Sequence, residues 1–128
     1  MNIEVIKMNL SILEGSKYIH LFLMVILLDI FVGISKSFIL GTTNSSVGLK
    51  GLLKHSLVII VTIIICFYLL IFEYDTMAKI FIMFFIVQYL ISLTESWGEL
   101  GLPLPDWVGD KLFKLNDNLN KGVDNNVK

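Results

Sequence analysis

Three long apolar stretches dominate the chain, and each is long enough to form a membrane-spanning helix. They cover residues 18–40, 56–72 and 77–93, and the second, SLVIIVTIIICFYLLIF, contains no charged side chain. A helix rises ~1.5 Å per residue, so stretches of this length cross most of a ~30 Å hydrocarbon layer. The Leu, Ile, Val and Phe side chains of the second stretch favour insertion by several kcal/mol. The pattern therefore predicts three transmembrane helices.

The segments around these stretches are more polar, and one of them predicts a further helix. After Pro105 the apolar residues Val108, Leu112, Leu115 and Leu119 recur at helical spacing, which predicts a short amphipathic helix over 107–119. Such a helix suits either the surface of the inner leaflet or another subunit. The remaining segments are an N-terminal segment 1–17, a connector 41–55, an acidic turn 73–76, an interfacial turn 94–106 and a polar tail 120–128.

Composition agrees with this all-α membrane architecture of three transmembrane helices and a short C-terminal amphipathic helix. Of the 128 residues, 55% are hydrophobic and 16% are charged, and the formal net charge is −1. Without a basic surface, nucleic acid is not an expected partner. The lone Cys66 lies in an apolar stretch, so we expect a small packing residue and no internal disulfide.

No enzyme is expected, because no arrangement of catalytic residues is recognisable. The chain has only two histidines, no Ser-His-Asp spacing and no glycine-rich phosphate loop. We therefore predict no catalytic residue, no cofactor and no metal site.

The lysines predict the orientation in the membrane. Lys50 and Lys54 make the first connector a basic loop, whereas the second connector is acidic. Because cytoplasmic loops carry an excess of Lys and Arg, the first connector should be cytoplasmic. Three spans then place the N-terminus outside and the C-terminus inside, and Lys111 and Lys114 in the C-terminal segment agree.

Polar residues interrupt the first apolar stretch at Asp29, Gly33 and Lys36, which share one stripe of the predicted helix. A carboxylate near mid-helix costs ~2.5–3.5 kcal/mol on insertion scales, so Asp29 should not face lipid. Asp29 and Lys36 are two turns apart, too far for a simple pair. We expect the carboxylate to meet a neighbouring helix or subunit, a water-filled lumen or a proton, or to lie at the membrane surface if the span is shifted toward Ile19. Gly33 either permits close helix packing or is a tolerated small residue.

Gln88 is the polar interruption of the third stretch. It either forms a hydrogen bond across helices or faces the same polar space as the carboxylate. We expect His20 to be an interfacial histidine, and His55, beside Lys54, to belong to the basic flank. The predicted lumen-facing or subunit-facing polar stripe is Asp29, Gly33, Lys36 and Gln88.

The segment TESWGELGLPLPDW after the third stretch predicts a shaped turn at the membrane surface. Glycine and proline favour turns, and tryptophan favours the headgroup region. The residues expected to form this interfacial turn are Glu95, Trp97, Gly101, Pro103, Pro105 and Trp107.

Three strings, in this order, resemble the phage holin family that includes the toxin-secretion holins of Gram-positive bacteria. They are LLDIFVGISKSF, NSSVGLKGLLKHS and TESWGELGLPLPDWV, and the resemblance runs from about Leu21 to Leu112. Two departures occur: Ser96 and Trp97 stand where the family commonly has Asn and an apolar residue, and His55 replaces a frequent second Lys. With three spans, the chain is similar to the class I holins.

The resemblance implies a protein of the bacterial cytoplasmic membrane that accumulates harmlessly and then forms homo-oligomeric lesions. Such lesions collapse the membrane potential and release a cell-wall endolysin or, in the toxin-associated branch, a large toxin. The implied partners are therefore further copies of the chain, membrane lipid, and the endolysin or toxin. Asp29 and Lys36, with Gln88, would face the lumen or a neighbouring subunit.

Other functions stay open on the sequence alone. One is a protein of the same family that restrains a holin, and an internal start at Met8 is one way to make two forms. Another is a small subunit of a transport or secretion complex, whose polar span residues would pair with another polypeptide. An ion-selective channel needs a ring of ligands, for which the single Asp29 per chain is weak support.

Overall fold

The computed structural model contains five helices and describes the backbone of residues 2–127 and the side chains of residues 2–108 and 110–122. The helices are α1 (Ile3–Gly15), α2 (Lys17–Leu40), α3 (Ser45–Ile71), α4 (Asp75–Glu99) and α5 (Asp106–Val127). Within the described residues no strand is present. The best 18-residue windows of α2, α3 and α4 have mean hydropathies of 2.2, 2.3 and 1.9, so all three are apolar enough to cross a membrane. The predicted all-α class is confirmed.

Helix α4 lies at the centre of the molecule and packs against α2, α3 and α5, while α1 packs against α3. The core between the spans contains the fully buried side chains of Phe22, Ile26 and Cys66, together with Ile86. The ring of Phe22 meets that of Phe85 edge to face, with centroids 6.3 Å apart. Since α2 and α3 touch each other less than either touches α4, a groove is left between them.

The outer surface of the three spans is apolar. Leu27, Phe31, Phe38, Leu57 and Ile64 are all more than half exposed. Only 11% of the apolar window of α3 is buried inside the chain. Lipid tails solvate such side chains as well as a protein core does, so this surface is that of a multi-pass membrane protein.

Helix α3 begins earlier than the sequence suggested, which corrects the predicted loop 41–55. The Asn44 side chain caps the helix by accepting a hydrogen bond from the Ser46 backbone N–H at 3.1 Å. Gly41 ends α2 in a left-handed conformation with φ of 68°. The connector is therefore only residues 41–44, and Lys50 and Lys54 lie in the first turns of a helix.

The two ends of the chain are also more helical than predicted. The N-terminal segment contains α1, which begins after Asn2, whose side chain accepts a hydrogen bond from the Glu4 N–H at 3.4 Å. Helix α5 runs to Val127, beyond the predicted boundary at residue 119, and it packs against α4. Lys128, the last residue of the predicted polar tail, lies outside the described residues.

Candidate functional site

Polar side chains from four helices lie at one level inside the apolar bundle. They are Asp29 of α2, His55 of α3, Gln88 and Tyr89 of α4, and Asn116 of α5. Each is about ten residues, or ~15 Å of helix, from the bundle end at which α2 and α4 end and α3 and α5 begin. We call these five residues the polar layer.

His55 joins the three spanning helices within this layer. Its Nδ1 is 3.0 Å from the Tyr89 hydroxyl, a hydrogen bond between α3 and α4. Its Nε2 is 3.9 Å from Asp29 Oδ2 on α2. The Asp29 side chain is 11% exposed and that of His55 24%. One imidazole therefore makes contact with the two other spans.

The chemistry of this contact depends on the imidazole. In the neutral tautomer with a proton on Nε2, Nδ1 accepts the Tyr89 O–H while the Nε2–H points toward the carboxylate. In the imidazolium form both nitrogens donate, and a positive charge lies beside Asp29. At 3.9 Å the carboxylate is too far from Nε2 for a hydrogen bond. Among the described residues no donor forms a hydrogen bond with the Asp29 carboxylate, which is partly exposed.

A groove between α2 and α3 leads from the bundle end to this carboxylate. Its volume is about 440 Å³, and its lining includes Asp29, Gly33, Ser37, Gly48, Gly51 and Ser92. A Cβ atom added at any of the three glycines would meet nothing within 4 Å, so the groove is open where they lie. Thr42 and Asn44 lie at its mouth, in the short connector. We call this cavity the α2–α3 groove.

The second part of the polar layer links α4 to α5. Gln88 Nε2 donates to Asn116 Oδ1 at 2.7 Å. Gln88 and Tyr89 are consecutive, so they project about 100° apart on α4, one toward α5 and the other toward α3. Helix α5 therefore runs back along α4 from the bundle end and meets it at the level of the Asp29 carboxylate.

The outward face of α5 is charged although it lies beside an apolar span. Lys114, Asp117 and Lys121, spaced by three and four residues, are exposed on one side of α5; we call them the charged stripe. A charge that faces lipid near the bilayer centre costs ~2.5–3.5 kcal/mol. The Gln88–Asn116 hydrogen bond contributes only ~0.5–2 kcal/mol. Wherever the charged stripe faces hydrocarbon, the free-energy cost of its three charges therefore exceeds the contribution of the Gln88–Asn116 hydrogen bond.

The sequence-predicted stripe is divided by the structure. Asp29 and Gly33 border the same groove. Lys36 lies farther along α2 and forms an ion pair with Glu99 at the end of α4. Gln88 faces α5 rather than Asp29. The Lys36 and Glu99 side chains are 30% and 56% exposed, so this is a surface pair at the bundle end.

The predicted interfacial turn is shorter than expected and is held by a tryptophan. Glu95 and Trp97 belong to α4, and Trp107 belongs to α5. The Trp97 ring N–H donates to the Pro103 carbonyl at 3.1 Å, and Gly101 has a positive φ of 74°, which favours glycine. Pro103 and Pro105 lie in the connector between the helices. Lys111 lies 5.0 Å from the Trp107 ring centroid.

Three residues of the polar layer were missed by sequence reasoning. His55 was assigned to a basic flank, whereas it is half-buried between the spans. Tyr89 is hidden inside an apolar stretch. Asn116 gives the clearest available signal, since it shares the α4-facing side of α5 with Val108, Leu112 and Leu119, where an apolar residue is expected.

Comparison with known proteins gives a family match over most of the chain. The model of the bacteriophage holin family matches residues 8–117, a range that contains the whole polar layer. An uncharacterized protein of Halalkalibacterium halodurans is 32% identical over 98 residues, which cover 72% of this chain and 73% of that protein. No solved structure matches the chain.

Proposed function

The chain belongs to the bacteriophage holin family, and from this premise we propose that its copies assemble into lesions in the bacterial cytoplasmic membrane. The lesions dissipate the membrane potential and let a cell-wall endolysin, or a large toxin, leave the cytosol. The chain is a multi-pass membrane protein of holin type, which is not an enzyme family. The partners in this proposal are further copies of the chain, lipid, and the released protein.

The observation that carries the proposal is the position of the Asp29 carboxylate, inside the apolar bundle and at the lining of an open groove. His55 Nε2 lies 3.9 Å from its Oδ2 atom. The α2–α3 groove opens beside it. Because a carboxylate inside an apolar bundle is stabilised when it accepts hydrogen bonds, a second copy or water entering this groove lowers the free energy of the assembled state. The Asp29 carboxylate also raises the free energy of a lone subunit that is surrounded by lipid.

Within this proposal Asp29 and Gly33 face the lumen or a neighbouring subunit. Both border the groove, and a Cβ atom at Gly33 would meet nothing within 4 Å. Lys36 contributes at the end of the groove, beside Glu99, and Gln88 contributes through α5. The interior of the lesion thus combines residues from α2 and α4.

We also propose that the bundle end that carries the groove mouth faces the cytoplasm. Lys36, Lys50 and Lys54 lie toward this end, whereas the opposite connector carries Glu73 and, at the start of α4, Asp75. This charge asymmetry supports the N-terminus outside and the C-terminus inside, since positive charge is favoured on the cytoplasmic side.

The proposal is tested by expressing the chain alone in bacteria while a potential-sensitive dye reports the membrane potential. We expect normal growth at first, then abrupt depolarisation, and release of a co-expressed cell-wall hydrolase at the same moment. Cells that stay polarised with the protein present in their membrane would reject the holin proposal. That result would favour a restraining role or a role as a small subunit of a transport complex.

A further inference from the structure

Helix α5 is long enough to cross a membrane but too polar to do so against lipid. It spans Asp106–Val127, 22 residues, which corresponds to ~33 Å of helix. It is not among the three helices that are apolar enough to span. Yet it runs along α4, and the two helices meet at Gln88 and Asn116 near the middle of both.

The direction of α5 brings its most polar half beside the most apolar half of α4. Lys121 is 15 residues from the start of α5, and the position at the same level of α4 is near Phe84. In the described part of α5, the face toward α4 carries Leu112, Asn116 and Leu119, which are partly buried. The charged stripe lies on the outer side, where it meets whatever surrounds the bundle.

The surroundings of the charged stripe decide where this packing can exist. Against hydrocarbon, its three charges cost far more free energy than the Gln88–Asn116 hydrogen bond returns. When the charged stripe faces water, its three charges carry no comparable free-energy cost, and the contact between α5 and α4 is retained. A lone subunit therefore keeps α5 at the membrane surface, and the docked position requires an aqueous space at the level of the polar layer.

We propose that α5 docks on α4 only in the assembled lesion, where it forms part of the water-facing wall. This inference rests on the proposed lesion-forming function and assigns to α5 a place within the lesion. The apolar side of α5 covers α4, the Gln88–Asn116 hydrogen bond fixes its register, and the charged stripe faces the lumen. The wall then carries both signs of charge, which suits passage of a folded protein of either charge.

A disulfide tests this docking directly. In a Cys66→Ser background, Gln88→Cys with Asn116→Cys places two thiols at the contact, and Gln88→Cys with Asn118→Cys is the matched control. Asn118 is the same residue type, but it is exposed and lies two residues away, on the other side of α5. Membranes are oxidised before and after depolarisation, and unreacted thiols are counted after denaturation with a maleimide that adds mass.

We expect the disulfide between positions 88 and 116 to increase several-fold at depolarisation, and the control pair to stay low throughout. Equal cross-linking of positions 88 and 116 before depolarisation would overturn the inference, as would its absence afterwards. If cells never depolarise, the lesion-forming function fails separately. In such polarised cells, a disulfide between positions 88 and 116 would show that α5 docks on α4 without a lumen. If no disulfide forms there either, the docking proposal loses its basis as well.

A second measurement does not depend on the Gln88–Asn116 contact. Lys79 and Lys121 are exposed, and with α5 docked their axial offset is ~8 Å, because they lie about 20 and 15 residues from the same bundle end. Spin labels at these two positions, in the Cys66→Ser background, give the distance in lipid vesicles. We expect a short distance in vesicles that have become leaky and a long one in sealed vesicles. A long distance in leaky vesicles would contradict docking.

Discussion

The charge of Asp29 can be removed while its shape is kept, by Asp29→Asn. In the folded chain the carboxylate is 3.9 Å from His55 Nε2, its side chain is 11% exposed, and the groove opens beside it. We expect the substitution to delay depolarisation, because the charged group gains most when copies gather and admit water. An amide has less to gain, so the drive toward assembly weakens.

The magnitude follows from the cost of the charge and from its partial compensation. A carboxylate near mid-helix costs ~2.5–3.5 kcal/mol in lipid. If assembly relieves about half of this, the gain is ~1.4 kcal/mol per subunit, which is a factor of about ten in the association constant. The His55 imidazole, 3.9 Å away, compensates the carboxylate only in part. Hence His55→Gln, which removes this compensation, should advance depolarisation.

The assay is the time from induction to loss of the dye signal, at membrane levels of protein matched by immunoblot. Asp75→Asn is the control, because Asp75 is an exposed carboxylate in the first turn of α4, outside the polar layer. We expect Asp75→Asn to keep the normal timing. Depolarisation of Asp29→Asn cells at the normal time or earlier, or delayed depolarisation of His55→Gln cells, would refute this role of the carboxylate.

Two further predictions concern the stability of the purified protein in detergent. Tyr89→Phe removes the hydroxyl that forms a hydrogen bond with His55 and should lower the free energy of unfolding by ~1 kcal/mol. Tyr68→Phe, at an exposed tyrosine, is the control and should change this free energy little. Equal effects of the two substitutions would contradict the role of the hydrogen bond. Lys36→Glu places two negative charges side by side and should lower the free energy of unfolding by no more than ~1 kcal/mol, because the pair with Glu99 is exposed. The double variant Lys36→Glu with Glu99→Lys reverses the pair and should restore stability. A double variant no more stable than Lys36→Glu alone would argue against the ion pair.

The three spans were predictable from the sequence because apolar length is a local property. A stretch such as residues 56–72 has to be buried or surrounded by lipid whatever the rest of the chain does. The starts of the helices were harder to predict from the sequence. Asn44 followed by Ser45 and Ser46 is a helix-capping signal. The glycines and lysines that follow it nevertheless give the segment a composition that favours a loop.

The polar layer could be predicted only in part, because it depends on how the helices are aligned. Asp29 and Gln88 stand out in the sequence because they are polar residues inside apolar stretches. His55 and Tyr89 are 34 residues apart, and only the packing of α3 on α4 makes them neighbours. Lys36 shares a helical stripe with Asp29, yet it pairs with Glu99, because α2 and α4 both end at that side of the bundle.

The central claim is that the α2–α3 groove beside Asp29 becomes exposed to water when lesions form. Gly33→Cys in a Cys66→Ser background tests it while Asp29 is kept, since a Cβ at Gly33 meets nothing within 4 Å. Phe31→Cys is the control, because Phe31 is 68% exposed on the apolar outer surface of α2. With a charged thiol reagent on both sides of the membrane, we predict that Cys at position 33 reacts only after depolarisation and that Cys at position 31 stays unreactive. A position 33 that remains unreactive in depolarised membranes, or reacts no faster than position 31, would contradict the account.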